Sequence, residues 1–293
     1  MTTDTGKIRI LVAGADKRQV YAGKRLAEEY GAEVTLCMTD GTAEGLPFVS
    51  SPEELDIKAD ILLLPMPCGN GLVIPAAGQL TCSMLTHALA KGALVTGGKM
   101  PTEMIEFFHS RGFDTADYLL REELAVKNAV PTAEGALGMI MTESDETVCG
   151  MSIAVTGWGR VAKACARLFA ALGASVTVFA RNISALSEAE SMGYRAMRID
   201  RLAERAGDFR TLVNTVPALV LTEQVLENTA ADCLIIDLAS KPGGTDFAAC
   251  AKLPRKAVHA LSLPGKCAPV TAGAIIADTV INIYSERSGR NVT

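Results

Sequence analysis

The chain has 293 residues, a formal net charge of −5 and 49% hydrophobic residues. That length fits two domains or one large one, and the acidic balance argues against nucleic acid or an anionic membrane surface as a partner. No uncharged apolar run reaches the roughly 18 residues of a membrane-spanning helix, and the polar stretch Met1 to Lys7 lacks the apolar core of a signal peptide. The eight cysteines form no Cys-x-x-Cys pair and the three histidines no His-x-x-x-His pair. No metal site is therefore expected, and the cysteines read as reduced thiols of a cytoplasmic protein.

In chain order, Ile8 to Ala13 is a β-branched apolar strand. Gly14-Ala15-Asp16-Lys17-Arg18 turns it into a helix that closes at Gly31, and Glu33 to Met38 is the next strand. With one glycine in the turn, a second dinucleotide is not expected here. Lys17 and Arg18 instead place cations at the carboxyl end of a strand, where open α/β sheets bind ligands. They read equally well as a carboxylate clamp or as ordinary first-turn charge. Asp60 to Pro65 is a third strand, Gln79 to Lys91 looks helical, and Ala93 to Thr96 is a strand followed by Gly97-Gly98-Lys99. Lys99 is again a cation just past a strand end. Thr102 to Arg111 is helical. Pro131 suits a first helical position and Glu134 a first turn, so a helix is expected to start there and join two domains. Glu134 is either an acid–base group or a partner of the helix dipole.

Met151 to Thr156 is a short apolar run that ends in Gly157-Trp158-Gly159-Arg160-Val161-Ala162. Ala162, Cys165, Ala166, Phe169 and Leu172 then recur at helical spacing, Gly173 stops the helix, and Ser175 to Phe179 reads as a strand. This is the strand–turn–helix–strand setting of a dinucleotide fingerprint. Gly157 allows the tight turn, Gly159 lets a pyrophosphate approach the backbone, and Ala162 lets helix and strand pack closely. The helix start offers unpaired N–H groups to phosphate. An NAD-preferring site usually carries an acid about 20 residues on. Here the second strand ends in Arg181-Asn182 with no acid between Gly173 and Ile183. Arg181 is either a surface residue or the partner of a 2′-phosphate, which makes the expected cofactor NADP, or both NADP and NAD. Further along, Thr211 to Thr215 is a strand that runs into Val216-Pro217, suited to the nicotinamide half of the cofactor. Cys233 to Leu238 is a strand followed by Ala239-Ser240-Lys241, and Asp246 or Thr245 caps the next helix. Val258 to Leu261 is the last strand, and Thr271 to Ser285 is an apolar helix expected to return to the first domain.

The expected cofactor-binding set is Gly157, Trp158, Gly159, Arg160, Val161, Arg181, Asn182, Thr215, Val216, Pro217, Leu238, Ala239 and Ser240. Substrate carboxylates are expected on Lys17, Arg18, Lys99, Lys241 and Lys266, with Glu134 and Lys241 as the catalytic candidates. The fold class is α/β, with an N-terminal Rossmann-like domain (residues 1–130), a joining helix (131–149), a dinucleotide-binding domain (150–268) and a returning C-terminal helix (269–293).

Five stretches together resemble the A-subunit family of the dipicolinate synthases of spore-forming bacteria. They are Gly14-Ala15-Asp16-Lys17-Arg18-Gln19, Val130-Pro131-Thr132-Ala133-Glu134-Gly135, Gly157-Trp158-Gly159-Arg160, Asp237 through Phe247, and Leu263-Pro264-Gly265. The resemblance implies two Rossmann-like domains with an interdomain cleft, similar to formate/glycerate and alanine dehydrogenases. It also implies NAD(P)-dependent oxidation of dihydrodipicolinate, a lysine-pathway intermediate, or of its hydrated precursor, to dipicolinate during sporulation. The setting would be the mother-cell cytoplasm, with the flavoprotein-like B subunit of dipicolinate synthase as partner and a homo-oligomer possible. Two other readings stand beside it. One is a non-autonomous dinucleotide-binding regulatory or scaffold subunit. The other is a dehydrogenase of another small hydroxy or amino acid, although the His or Lys with an acid partner that such enzymes carry is not evident.

Overall fold

The structure, a computed structural model, describes residues 6–289; most of the polar N-terminal stretch lies outside the described residues. The chain divides into two compact units. One comprises the residues up to Asn128 together with those from Ala268 onward, and the other is Ala129–Cys267.

The first unit opens with β1 (Arg9–Ala13), α1 (Lys17–Glu28), β2 (Glu33–Cys37), β3 (Phe48–Val49) and β4 (Ala59–Leu63). A small hairpin of β5 (Val73–Ile74) and β6 (Leu80–Thr81) precedes the short α2 (Cys82–Leu85), β7 (Leu89–Gly97), α3 (Thr102–His109) and β8 (Asp114–Asp117). The helix expected over Gln79 to Lys91 is present but shorter: Cys82–Leu85 is α-helical and continues as a 3-10 turn over Thr86–Ala88, while Leu80–Thr81 and the residues from Leu89 onward are strand. Cys82, Leu85 and Ala88, spaced three apart, form the buried face of this short helical stretch, and the burial of Leu80 and Leu89 in strands on either side limits its length. Six strands form one sheet in the order β3-β2-β1-β4-β7-β8, every pairing parallel. Ile10, Leu11, Val12 and Ala13 are fully buried, as a parallel strand covered on both faces requires. Ile10 and Val12 join the core beneath α1, while Leu11 and Ala13 join that beneath α3.

Next comes α4 (Glu122–Glu143), which begins nine residues before Pro131. The expectation of a helix starting at Pro131 is corrected: the helix starts at Glu122 and Glu123, acids in the first turn, and carries the proline inside. Pro131 forfeits one backbone bond, and the apolar series Leu124, Ala133, Ala136 and Ile140, buried along this helix, outweighs that loss.

The second unit contains β9 (Ser152–Thr156), α5 (Arg160–Ala171), β10 (Ser175–Ala180), α6 (Ile183–Ser191), β11 (Arg195–Arg198), α7 (Leu202–Arg205), β12 (Thr211–Asn214), α8 (Glu223–Glu227), β13 (Leu234–Asp237), α9 (Phe247–Lys252), β14 (Lys256–His259) and α10 (Leu263–Cys267). Its sheet runs β11-β10-β9-β12-β13-β14, again all parallel. Numbered within each sheet, both units have the strand order 3-2-1-4-5-6 of dinucleotide-binding folds. Ile153, Val155 and Val178 pack under α5, and Ala154, Phe179 and Leu212 under α7 to α9.

The chain ends in α11 (Pro269–Ser288), which belongs to the first unit. A Cβ on Gly273 would meet the Arg18 carbonyl at 2.6 Å and Tyr21 Cβ at 2.7 Å, so α11 lies against α1 as closely as glycine permits. Asp278 fastens this contact by accepting bonds from Arg25 Nε at 2.7 Å, the Tyr30 hydroxyl at 2.9 Å and Lys127 Nζ at 3.3 Å. Burial alone would raise its carboxyl pKa, but these three donors together hold it below the usual carboxylate value. Most other ion pairs, such as Lys24–Glu28, are exposed and contribute about 0–1 kcal/mol each. No helix among the described residues is long and apolar enough to cross a membrane.

Asp278→Asn is expected to cost roughly 1–2 kcal/mol of stability at neutral pH, from the lost charge-assisted bonds. Because the folded-state pKa is depressed, the stabilisation is complete above the unfolded carboxyl value of about 4 and fades as pH falls below it. Thermal midpoints of wild type and variant, measured from pH 7 to pH 3, should therefore converge at the acid end.

Candidate functional site

In the second unit three strands end together at the carboxyl edge of the sheet, and a buried hydrogen-bond chain ties them. Thr156 Oγ1, at the end of β9, donates to Asn214 Oδ1 at 2.6 Å. Asn214, at the end of β12, donates through Nδ2 to Asp237 Oδ1 at 2.8 Å and to the Val216 carbonyl at 3.1 Å, and accepts from Val216 N at 3.0 Å. Asp237, at the end of β13, accepts from Ala239 N at 3.0 Å and Gly244 N at 2.8 Å. All three side chains are fully buried. A buried carboxylate is tolerated when its oxygens are this well supplied with donors. The expected cofactor loops Thr215-Val216-Pro217 and Leu238-Ala239-Ser240 hang directly from the chain of bonds. Asn214 and Asp237 are absent from the expected site. The sequence signal that could have found them is a polar residue closing each of two apolar strands.

The glycine turn is built on the same edge. Gly157 adopts φ +90°, and a Cβ there would meet Thr215 Oγ1 at 2.7 Å. Thr215 in turn donates to the Thr156 carbonyl at 2.7 Å. Gly159 differs: a Cβ on it would meet nothing within 4 Å. It is the N-cap of α5 and has no side chain to close the helix start. Open space therefore stands in front of first-turn amides, an arrangement that accepts phosphate. Ala162 is fully buried against the sheet. Arg160, Arg181, Ser240 and Lys241 are exposed, and Val161 is half-buried.

Several expected side chains are committed elsewhere. The Trp158 ring is 9% exposed and packs edge-on against Tyr194 at 5.6 Å, so this residue can offer a ligand only its backbone. Asn182 Oδ1 accepts Ser184 N at 2.8 Å and caps α6. Glu134 lies on the exposed side of α4 and shares a groove with Ala164, Arg167, Leu168 and Ala171, the last two turns of α5. Arg167 is about 10 Å along the axis from the helix start, so Glu134 lies beside the later turns of α5 and away from the glycine turn. Lys266 is exposed on α10. His259 Nε2 donates to the Ala239 carbonyl at 2.8 Å, with the ring stacked on Phe247. This steadies the loop that carries Lys241 and its cis peptide to Pro242.

The matching edge of the first unit is closed. Gly14 has φ +96°, and a Cβ on it would meet Ile74 Cγ2 at 2.8 Å and the Pro75 carbonyl at 2.9 Å. That carbonyl accepts Ala15 N at 2.6 Å. Asp16 caps α1 by accepting Arg18 N at 3.0 Å. Arg18, expected as a free clamp, is 6% exposed; its Nε and Nη2 bond Asp16, and Nη2 also donates to the Met66 carbonyl at 2.6 Å. A carboxylate two residues away in the same turn claims it first. Lys17 and Lys99 remain exposed, Lys99 with φ +57°. Burial pushes the thiols of Cys37, Cys68, Cys82, Cys165 and Cys233 up to about 12, which leaves them protonated at neutral pH. Among the described residues no group of three or more His, Cys, Asp or Glu side chains is placed to hold a metal ion.

Comparison with known proteins places these features in context. Residues 9–119 match the family model for the N-terminal domain of the dipicolinate synthase A subunit. A stretch of 166 residues is 40% identical to the A subunit of dipicolinate synthase from Bacillus subtilis (strain 168), covering 57% of this chain and 56% of that protein, a little over half its length. Among solved structures, the dipicolinate synthase A subunit from Bacillus halodurans is 33% identical, with 95% of this chain and 98% of that one covered and a TM-score of 0.85. A transhydrogenase from Sinorhizobium meliloti, 16% identical over 93% of this chain and 92% of its own with a TM-score of 0.70, shares the fold alone.

Asp237→Ala should leave the amides of Asn214, Ala239 and Gly244 without their acceptor and cost roughly 3 kcal/mol. The expected fall in the thermal midpoint is on the order of 5–10 °C, read by calorimetry, with a smaller fall for Asp237→Asn.

Proposed function

Because the chain belongs to the family of dipicolinate synthase A subunits, we propose that it oxidises dihydrodipicolinate to dipicolinate with NAD(P)+ as acceptor. The observation that carries this reading is the open space before Gly159 at the start of α5. The residues present fit a dinucleotide: a pyrophosphate would lie against the amides from Gly157 to Arg160, with Val161 behind them. Arg181, just past β10, would hold a 2′-phosphate, which favours NADP while leaving NAD usable. Thr215 to Pro217 and Leu238 to Ser240 would border the nicotinamide half. When bound, the dinucleotide supplies a hydride acceptor.

The rest of the work falls to side chains. Oxidation makes an aromatic ring, so it proceeds downhill and asks for positioning more than for a strong base. Lys241, exposed on the loop braced by His259 and Asp237, is proposed to hold a substrate carboxylate, with Lys266 of the same unit as a further cation. Glu134 and Arg18 have no part in this proposal, for the reasons of geometry above. The relatives are named as one subunit of a synthase, which implies a second. We infer the flavoprotein-like B subunit to be the partner and the mother-cell cytoplasm to be the setting.

Purified chain mixed with NADP+ and freshly made dihydrodipicolinate should generate absorbance at 340 nm. A signal that needs the B subunit would make this chain one part of a shared enzyme, and no signal with or without that partner would overturn the reading. Gly159→Ala should fold as wild type, since its Cβ meets no protein atom, yet weaken dinucleotide binding at least about tenfold by occupying the phosphate space. Arg181→Asp should reverse the preference between NADP and NAD in the ratio of their KM values.

A further inference from the structure

Arg181 is not alone at its corner of the sheet. β10 and β11 pair in parallel with Ala180 beside Arg198. Arg181 follows Ala180, so the backbones of Arg181 and Arg198 lie roughly 6 Å apart, given a strand spacing of about 4.8 Å and about 3.8 Å between successive residues. β11 is the edge strand, and nothing beyond it in the sheet restricts Arg198. The guanidinium bonds Asp200 at 2.9 Å, with the two side chains 57% and 55% exposed. An exposed pair of this kind is weak and is readily exchanged for another anion. Arg198 also lines a groove of about 430 Å³ with Met197, Arg201 and Arg205. Arg201 and Arg205 are held by acids within their own helical segment, Glu204 and Asp208.

We propose that Arg198 is a second ligand for the 2′-phosphate of NADP, completing a two-guanidinium clamp with Arg181, and that Asp200 is the counter-ion it exchanges. This rests on the reading that a dinucleotide binds at Gly157 to Arg160. In a sheet of this strand order the adenosine ribose lies over the carboxyl end of the second strand, here β10. A 2′-phosphate carries nearly two negative charges at neutral pH, more than one guanidinium offsets. Asp200 acts in the opposite sense: near a 2′-phosphate its carboxylate repels, and Arg198 screens it. The Arg198–Asp200 pair therefore sets the preference between the two cofactors from outside the glycine motif.

Intrinsic fluorescence titration of wild type, Arg198→Ala and Asp200→Asn with NADPH and with NADH tests this. Arg198→Ala should weaken NADPH about tenfold and leave NADH within about twofold. Asp200→Asn should tighten NADPH a few-fold, about threefold, with NADH again unchanged. Both side chains are exposed, so unchanged thermal midpoints will certify the fold. If wild type binds NADPH or NADH and Arg198→Ala keeps the wild-type ratio of the two affinities, the clamp is wrong and the dinucleotide reading survives. If wild type binds neither, both fall together.

Discussion

The second unit depends on one buried chain of hydrogen bonds, from Thr156 through Asn214 to Asp237. It joins the ends of three neighbouring strands and extends into the backbone of the loops that follow them. A carboxylate taken out of water costs several kcal/mol unless its oxygens are met by donors. Here the amide of Asn214 and two backbone N–H groups meet them, so the charge becomes a clasp. The loops proposed to border a cofactor are thereby set before any ligand arrives, and little ordering entropy remains to be lost on binding.

The two units show how one topology serves two ends. Both have six parallel strands in the same order, and both turn from the first strand into a helix through a glycine with positive φ. In the first unit Asp16 caps the helix and the Pro75 carbonyl fills the turn, so the groups that could greet a phosphate there are answered within the protein. In the second unit the cap is Gly159 and the space in front is open. The difference between the closed turn and the open one is a single side chain at the helix start and a hairpin laid over it.

Much of this was legible in the order of residues. The alternation of apolar strand and amphipathic helix, with glycine at each turn, specifies the parallel α/β architecture, and Gly157, Gly159 and Ala162 fall where local sterics demand them. Of the two expected caps, Asp246 and Thr245, it is Asp246 that accepts from Ala249 N at 2.9 Å, because capping is settled within three residues. Where side chains are engaged differently from expectation, the cause is shared. Arg18, Trp158 and Asn182 are assigned by their place in a loop, yet each side chain is engaged by a neighbour that loop position does not reveal. Glu134 is assigned by its place in a supposed first turn, but the helix begins nine residues before the proline that suggested that turn.

The sequence by itself determined where most strands and helices form and which glycine turn is left open at its helix start, since these follow from backbone sterics and from contacts a few residues apart. Only the tertiary structure decided which cations remain exposed and which polar residues become a buried clasp. It also decided that Arg198 pairs with Ala180, the residue before Arg181, eighteen positions back along the chain. Those outcomes turn on strand register and on the burial of one side chain by a distant one. A linear pattern does not carry that information, because hydrogen bonds and ion pairs are made with whatever the fold brings within about 3 Å.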